Sequence, residues 1–427
     1  MPATTTAVVE AVWRIESGRL VAALARITGD FPAAEDLAQD ALERALRQWP
    51  RDGVPDHPAS WLMATAKHLA VDAYRRQLTL TRKLAQLADA DAGTRKEPND
   101  PMSAVDDELD TAVHDDLLRL VFTTCHPALT VESQVALTLR TVAGLQTREI
   151  ARAFLVPETT LGQRISRAKK TLTDKRVRFE LPPAAELPTR LGAVLNVLYL
   201  IFNEGYAATA GDDWTRPALC HDALRLGRQL ASLQPDEPEV HGLLALMELQ
   251  ASRLPARTGT SGDAVLLDEQ DRRRWDRLHI RRGLAALHTA EQLGTGPYTL
   301  QAAIAACHAR ARSVDTTDWR RVAALYTVLA HLTPSPVIAL NRAVAVGMAD
   351  GPARGLALTD QLMDEPALKH HPQLPAVRAT FLHRLGRLDE ARQQFRLAAA
   401  QTSNTRERQL YLRQADTPTT PDRSASS

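Results

Sequence analysis

Residues Thr147–Lys170 read TREIARAFLVPETTLGQRISRAKK, and the reading of this stretch decides the fold. Ile150, Ala151 and Phe154 mark one face of a short helix, and Leu155-Val156 fills the corner after it. Pro157 suits the start of a second helix, where its fixed φ fits and its missing N–H costs nothing. Leu161, Ile165, Ala168 and Leu172 then recur at helical spacing and predict a buried stripe. The opposite side carries Thr160, Gln163, Arg164, Arg167 and Lys170, hydrogen-bond donors and mostly cationic. A short helix, a turn and a helix with a polar, basic outer face is the helix-turn-helix pattern, whose second helix enters the DNA major groove.

Charge supports that reading. Thr147–Arg178 holds nine Lys/Arg against three Asp/Glu, while the whole chain carries a formal net charge of only +1. Charge focused in this way suits phosphate contacts, which supply much of the affinity for DNA. A solvated amphipathic helical hairpin has the same features, because this geometry also serves proteins that never meet DNA.

The chain of 427 residues is long enough for roughly two to four domains with real cores. Aromatics make up 4% and β-branched runs are scarce, so an all-helical chain is expected. Cys125, Cys220 and Cys307 lie far apart, with neither a disulfide framework nor zinc spacing, which fits a reducing cytoplasm. Cys125-His126 reads as a packed cysteine before a turn at Pro127 rather than half of a metal site. The N-terminal MPATTTAVVEAVWR lacks the basic and apolar regions of a signal peptide. The longest apolar run, Leu191–Phe202, is too short to span a bilayer. A soluble, cytoplasmic protein is expected.

Taken in order, Val8–Thr28 is amphipathic, with Val12, Ile15, Leu20, Leu24 and Ile27 as apolar positions. A second helix runs from Pro32 to Trp49, with Leu37, Ala41, Ala45 and Trp49 inward and Asp36, Gln39, Asp40, Glu43 and Arg44 outward. After the Pro50–Pro58 loop, Ala59–Arg76 forms a third helix with Trp61, Leu62, Ala66, Leu69 and Ala73 inward. Its polar side holds Lys67, His68, Asp72, Arg75 and Arg76, a cluster that suits a melted DNA strand. Helix dipoles and solvation account for both polar faces without any partner. Gln86–Asp116 changes character, with ten Asp/Glu against Arg95 and Lys96, and reads as a flexible acidic linker. Leu117–Thr124 and Val131–Val142 then introduce the helix-turn-helix, with Thr147 and Glu149 capping its first helix.

The chain resembles the extracytoplasmic-function sigma factors, the promoter-specificity subunits of bacterial RNA polymerase. The resemblance rests on Ala34–Ala41 (AEDLAQDA), Pro58 with Trp61-Leu62, and Asp72 with Arg75-Arg76. It continues in Glu149-Ile150-Ala151, Pro157-Glu158, Thr160, Arg164 and Arg167-Ala168. It implies that the second helix meets core polymerase through Asp36, Leu37, Gln39, Asp40, Glu43 and Arg44. It also implies that Lys67, His68, Asp72, Arg75 and Arg76 melt and read the −10 element. Thr159, Thr160, Gln163, Arg164, Arg167 and Lys170 would read the −35 element. Leu155 stands where the family's turn usually has Gly, which leaves the helix-turn-helix angle open. Core RNA polymerase and promoter DNA are the implied partners. The competing function is a helix-turn-helix regulator with a ligand- or protein-sensing helical domain.

The second half resembles a subgroup with a long C-terminal helical extension. Asn203-Glu204-Gly205-Tyr206 ends a strongly apolar helix, either capping it or lining a pocket. Pro217–Leu233 and Glu239–Arg253 read as a helix pair. DEQDRRRWD, Asp268–Asp276, reads as a solvated, salt-bridged helix whose Trp275 hints at a docking face or an interdomain contact. Ala376–Ala400 looks like a tetratricopeptide unit and Val337–Met363 like a weaker copy, which predicts a solenoid with a concave face near Arg384–Phe395. His279, His288 and His308 are scattered on separate helices. No nucleophile–base pair, phosphate loop or metal spacing occurs, so neither catalysis nor a cofactor is expected. The expected organisation is all-α. A sigma region 2-like domain (1–80) and a helix-turn-helix region 4-like domain (113–178) flank the linker (81–112). A helical-repeat domain (185–415) and a disordered tail (416–427) follow. The extension is expected to dock on the sigma domains, or on an unknown protein or ligand, and to alter promoter output.

Overall fold

The computed structural model describes residues 5–88, 109–154, 156–208, 214–259 and 263–416. Leu155, most of the acidic linker and the tail beyond Asp416 lie outside them. The chain is all-α. Among the described residues no strand forms, and an isolated bridge joins Thr258 to Ala264. Two compact units form, Met1–Leu198 and Tyr199–Ser427.

The first unit opens with α1 (Thr5–Thr28), α2 (Phe31–Asp52) and α3 (Pro58–Ala88). Asp30 starts α2 by accepting the Ala33 N–H, and Pro32 occupies its first turn. Gly53 ends it at φ 88, a conformation open to glycine, and returns its N–H to the Trp49 carbonyl. Ala34, Ala38, Ala41, Leu42, Ala45 and Trp49 are buried, and the row of alanines lets α2 lie close along α1. Leu37 is half-buried rather than inward, Ala73 is exposed, and Ile15 is 58% exposed. Val9, Trp13, Leu20, Val21 and Leu24 form the true inner face of α1. Helix α3 runs well past Arg76, because no glycine or proline interrupts the chain before Gly93.

Helix α4 (Leu109–Thr124) begins inside the stretch read as linker. Its Leu109, Val113, Leu117 and Leu120 fall at helical spacing, and the count of acids masked that periodicity. One of those acids, Asp116, is buried and accepts from Arg26 of α1 at 2.8 Å and Arg119 at 2.6 Å. Burial raises its pKa and the two arginines oppose the rise. The turn into α5 (Val131–Thr141) is tied by Gln134, whose Nε2 donates to the carbonyls of His126 at 3.0 Å and Cys125 at 3.3 Å. Cys125 is buried against Thr138, and its burial pushes the thiol up to about 11.

Gly144, at φ 73, turns the chain into α6 (Thr147–Ala153), and α7 (Glu158–Asp174) follows after Pro157. The start of α6 is held by Glu149, whose carboxylate accepts the Gln146 N–H at 2.7 Å, so Gln146 and not Thr147 stands at the cap. The first unit ends at Leu198, within α8 (Leu187–Tyr206), whose remaining residues belong to the second unit.

In the second unit α10 (Pro238–Ala251) is the central rod, buried nearly all round by α9 (Pro217–Leu233), α12 (Arg277–Leu293) and α13 (Pro297–Arg310). Between α10 and α12 lie α11 (Leu254–Arg257) and the run Asp268–Asp276. That run is not a helix: it makes turns and one 3-10 turn at Arg272–Arg274. Trp275 is 3% exposed, with the Arg253 and Arg272 guanidiniums 5.4 and 5.0 Å from its ring centre. It is core, and no docking face. Arg272 is buried too and donates to the carbonyls of His308 at 2.7 Å and Ala311 at 2.9 Å. His279 and His288 share α12, contrary to expectation, and His308 lies on α13.

From α14 (Trp319–Leu332) onward each helix packs on the next. The hairpins α15 (Pro336–Asp350) with α16 (Pro352–Asp360), and α17 (Gln373–Arg384) with α18 (Leu388–Gln401), occupy the two repeat-like spans. Helix α19 (Thr405–Asp416) caps the row. Phe395 is buried in it.

Candidate nucleic-acid and polymerase interface

All four residues of the expected stripe on α7, Leu161, Ile165, Ala168 and Leu172, are buried. That fixes the rotation of the helix about its axis. It leaves Thr159, Thr160, Gln163, Arg167 and Lys170 exposed and Arg164 half-buried. No side chain of these six has a hydrogen-bond or ion-pair partner among the described residues. A face of free donors on a helix anchored by four apolar contacts can lie in a major groove without dismantling the fold.

On α3 the exposed residues His68, Asp72 and Arg75 stand one above another at helical spacing, with Lys67 half-buried beside them. Arg76 lies on the same helix, but its side chain is outside the described residues. On α2, Asp36, Asp40, Glu43 and Arg44 are exposed, and Leu37 and Gln39 are half-buried. Glu43 is held by Arg47 at 2.5 Å one turn on.

Asp36 is not free. Lys169 of α7 donates to it at 3.2 Å and also binds Glu35, which is buried in α2. Arg140 of α5 lies 3.5 Å from Glu35 on its other side. Gly18 of α1 presses on the backbone of Val142, where an added Cβ would meet its carbonyl oxygen at 3.0 Å. The helix-turn-helix therefore packs on α1 and α2, and Lys169 ties α7 to α2. Sequence reading counted Lys169 only as part of a basic patch. The usable signal was Glu35, a charge on the buried alanine face of α2 that requires a partner.

In the second unit one cleft of about 500 Å³ is lined by Asp268, Asp271, Arg272, Arg312, Asp315 and Arg384. The two surfaces named from sequence as contact candidates, Asp268–Asp276 and the region of Arg384, thus meet. Phe395 is not among its lining residues. Glu204 is buried and paired with Arg216, and the ring of Tyr206 lies under Arg257 at 3.9 Å. Asn203–Tyr206 is therefore tied into the packing of the unit. His279 meets the buried Glu248 at 2.5 Å. Among the described residues no group of three His, Cys, Asp or Glu is placed to hold a metal. No described helix is long and apolar enough to cross a membrane.

Residues 14–78 match the family model of sigma-70 region 2, and residues 119–172 that of sigma-70 region 4. Residues 190–291 match a family of unknown function, DUF6596. An uncharacterized protein of Rhizobium meliloti (strain 1021) is 42% identical over 396 residues, 92% of each chain. A probable ECF RNA polymerase sigma factor, SigI, of Mycobacterium tuberculosis is 28% identical over 179 residues, 41% of this chain and 58% of that one.

A region 2 and a region 4 in that order define a promoter-specificity subunit of RNA polymerase. The chain belongs to the extracytoplasmic-function sigma factors, and it carries a long helical extension beyond the sigma regions. It is an alternative sigma factor that binds core RNA polymerase and promoter DNA, and its sigma regions are initiation modules rather than enzymes.

Proposed function

We propose that the three exposed faces divide the work of initiation among them. Thr159, Thr160, Gln163, Arg164, Arg167 and Lys170 on α7 read the −35 element. Lys67, His68, Asp72, Arg75 and Arg76 on α3 open and read the −10 element. Asp36, Leu37, Gln39, Asp40, Glu43 and Arg44 on α2 meet core polymerase. The observation that carries this reading is the polar face of α7, without hydrogen bonds or salt bridges from these side chains among the described residues, opposite its four buried anchors. The Lys169 contact adds a conformational step, because polymerase must compete with Lys169 for Asp36. The domain limits 1–80, 81–112, 113–178 and 185–415 form part of the same proposal, with the span 81–112 as the tether.

The extension is proposed to set promoter output in cis. A covalent tether holds it at an effective concentration that reaches the millimolar range, so even a weak contact with the sigma regions, or with a protein or ligand it recruits, is occupied. The test is in vitro transcription with core enzyme, comparing the full chain with one ending at Leu198, where the first compact unit ends. Changed output with retained core binding supports control in cis. Identical output makes the extension a passenger in initiation, and loss of all promoter-directed transcripts by the full chain overturns the assignment of the three faces.

A further inference from the structure

A cleft of about 460 Å³ lies between the turn after α4, the segment leaving α7 and the first turn of α8. Its walls carry Lys175, Arg176, Arg178, Arg190 and His126, against two carboxylates, Glu180 and Glu186. Lys175, Arg176 and Arg178 are exposed, and their side chains have no partner among the described residues. Arg190 differs, since only 12% of its side chain is exposed. One terminal nitrogen donates to the Phe122 carbonyl at 2.8 Å, and the other lies 3.9 Å from Glu186. Its Nε–H is buried with no acceptor among the described residues. Burial lowers the pKa of this guanidinium, and Glu186 only partly offsets the effect.

His126 accepts the Ala128 N–H on Nδ1, which leaves the ring proton on Nε2 as a further donor. Burial first, and then Arg190, hold its pKa below the ordinary value, so it is a neutral donor. The bond from Arg190 to Phe122 is explained by the fold. The other cations are not, because like charges gathered in a cleft repel unless an anion joins them. The segment 173–189 falls between the region 4 match and the DUF6596 match, so neither family assigns it a role.

We propose that this cleft is a phosphate-binding site, which takes the phosphate of a small phosphorylated molecule or of a nucleic-acid backbone. Four permanent cations against two carboxylates leave an excess that matches a phosphate dianion better than a single carboxylate. The volume falls in the ~300–1,000 Å³ range of small-molecule sites, with room for more than the phosphate itself. The site stands apart from the base-reading face, since Lys175 lies about 22 Å along the helix axis from Thr160 at ~1.5 Å per residue. An occupant would bridge the α4 turn, the exit of α7 and the start of α8.

The test titrates inorganic pyrophosphate into the full-length chain by isothermal calorimetry at low salt. It is repeated with Lys175→Ala/Arg178→Ala, whose exposed, partnerless side chains can be removed without unfolding, as a melting curve verifies. Saturable binding that weakens at least about tenfold in the double variant is expected. A second arm measures promoter-DNA affinity against salt, where each lost backbone contact lowers the slope of log K by ~0.9. A drop near 2 with little pyrophosphate binding assigns the phosphate to DNA, and an unchanged slope with lost pyrophosphate binding assigns it to a free molecule. No pyrophosphate binding together with an unchanged slope, or binding equal in both proteins with an unchanged slope, overturns the proposal. The pyrophosphate arm needs neither polymerase nor promoter, so its failure is separable from failure of the initiation reading.

Discussion

Replacing Lys169 with alanine separates a structural tie from a functional latch. Glu35 has a side chain only 3% exposed and Lys169 one 20% exposed, with Arg140 at 3.5 Å as the remaining cation. Removing one partner of a buried pair costs ~3–5 kcal/mol when nothing replaces it. Arg140 stays, and Lys169 is partly hydrated, so a loss of about 2 kcal/mol is expected for the packing of the first unit. Urea unfolding of Lys169→Ala, Glu35→Gln and the double variant measures it, and the cycle should show a coupling of about 1–2 kcal/mol. The same change frees Asp36 from its 3.2 Å contact. Affinity for core polymerase should therefore rise as stability falls, by up to roughly tenfold if ~1.4 kcal/mol of the tie opposes binding. A purely structural lysine lowers both quantities together. Additive single variants, or a core affinity that falls in parallel with stability, would refute the latch.

Arg164→Ala should relax base choice at one −35 position, with ~1–3 kcal/mol of discrimination lost, whereas Lys170→Ala should weaken all promoter variants alike; binding across a panel of single-base changes measures both. Asp36→Ala with Asp40→Ala should lower co-purification with core enzyme while leaving helicity by circular dichroism unchanged. Gly347→Ala should destabilise the second unit by roughly 1–3 kcal/mol in thermal melts, because overpacking a filled core strains it. The added Cβ would sit 2.4 Å from the buried ring of Phe381. Burial, aided by Arg253 and Arg272, lowers the His308 pKa to about 4 from 6.5. Its neutral form favours the fold, so this stability is complete above pH 6.5 and declines as pH falls toward 4. Between pH 7 and 5 the loss should reach about 2 kcal/mol, and His308→Phe should flatten that part of the profile.

The helix-turn-helix was legible because its determinants are local. Four apolar residues at helical spacing fix which side of α7 is buried, and the polar remainder then faces outward whatever the rest of the chain does. The all-α class followed likewise from composition and periodicity. The limits of α3 and α4 were less legible, because charge density at the edges of the linker hid the helical repeats at the end of α3 and the start of α4.

Contacts far apart in sequence escaped altogether. Lys169 and Glu35 are separated by 134 positions, and nothing local distinguishes a lysine that binds phosphate from one that neutralises a buried glutamate. Trp275 sits in a run of charges that periodicity reads as solvated, yet tertiary packing buries it beneath two arginines. The phosphate cleft draws its donors from the turn after α4, the exit of α7 and the start of α8. The sequence alone determined which residues are apolar, charged or helix-forming, and hence the elements and their faces. Only the tertiary structure decided which charges meet, because burial and Coulomb energies depend on distances that the chain acquires when it folds.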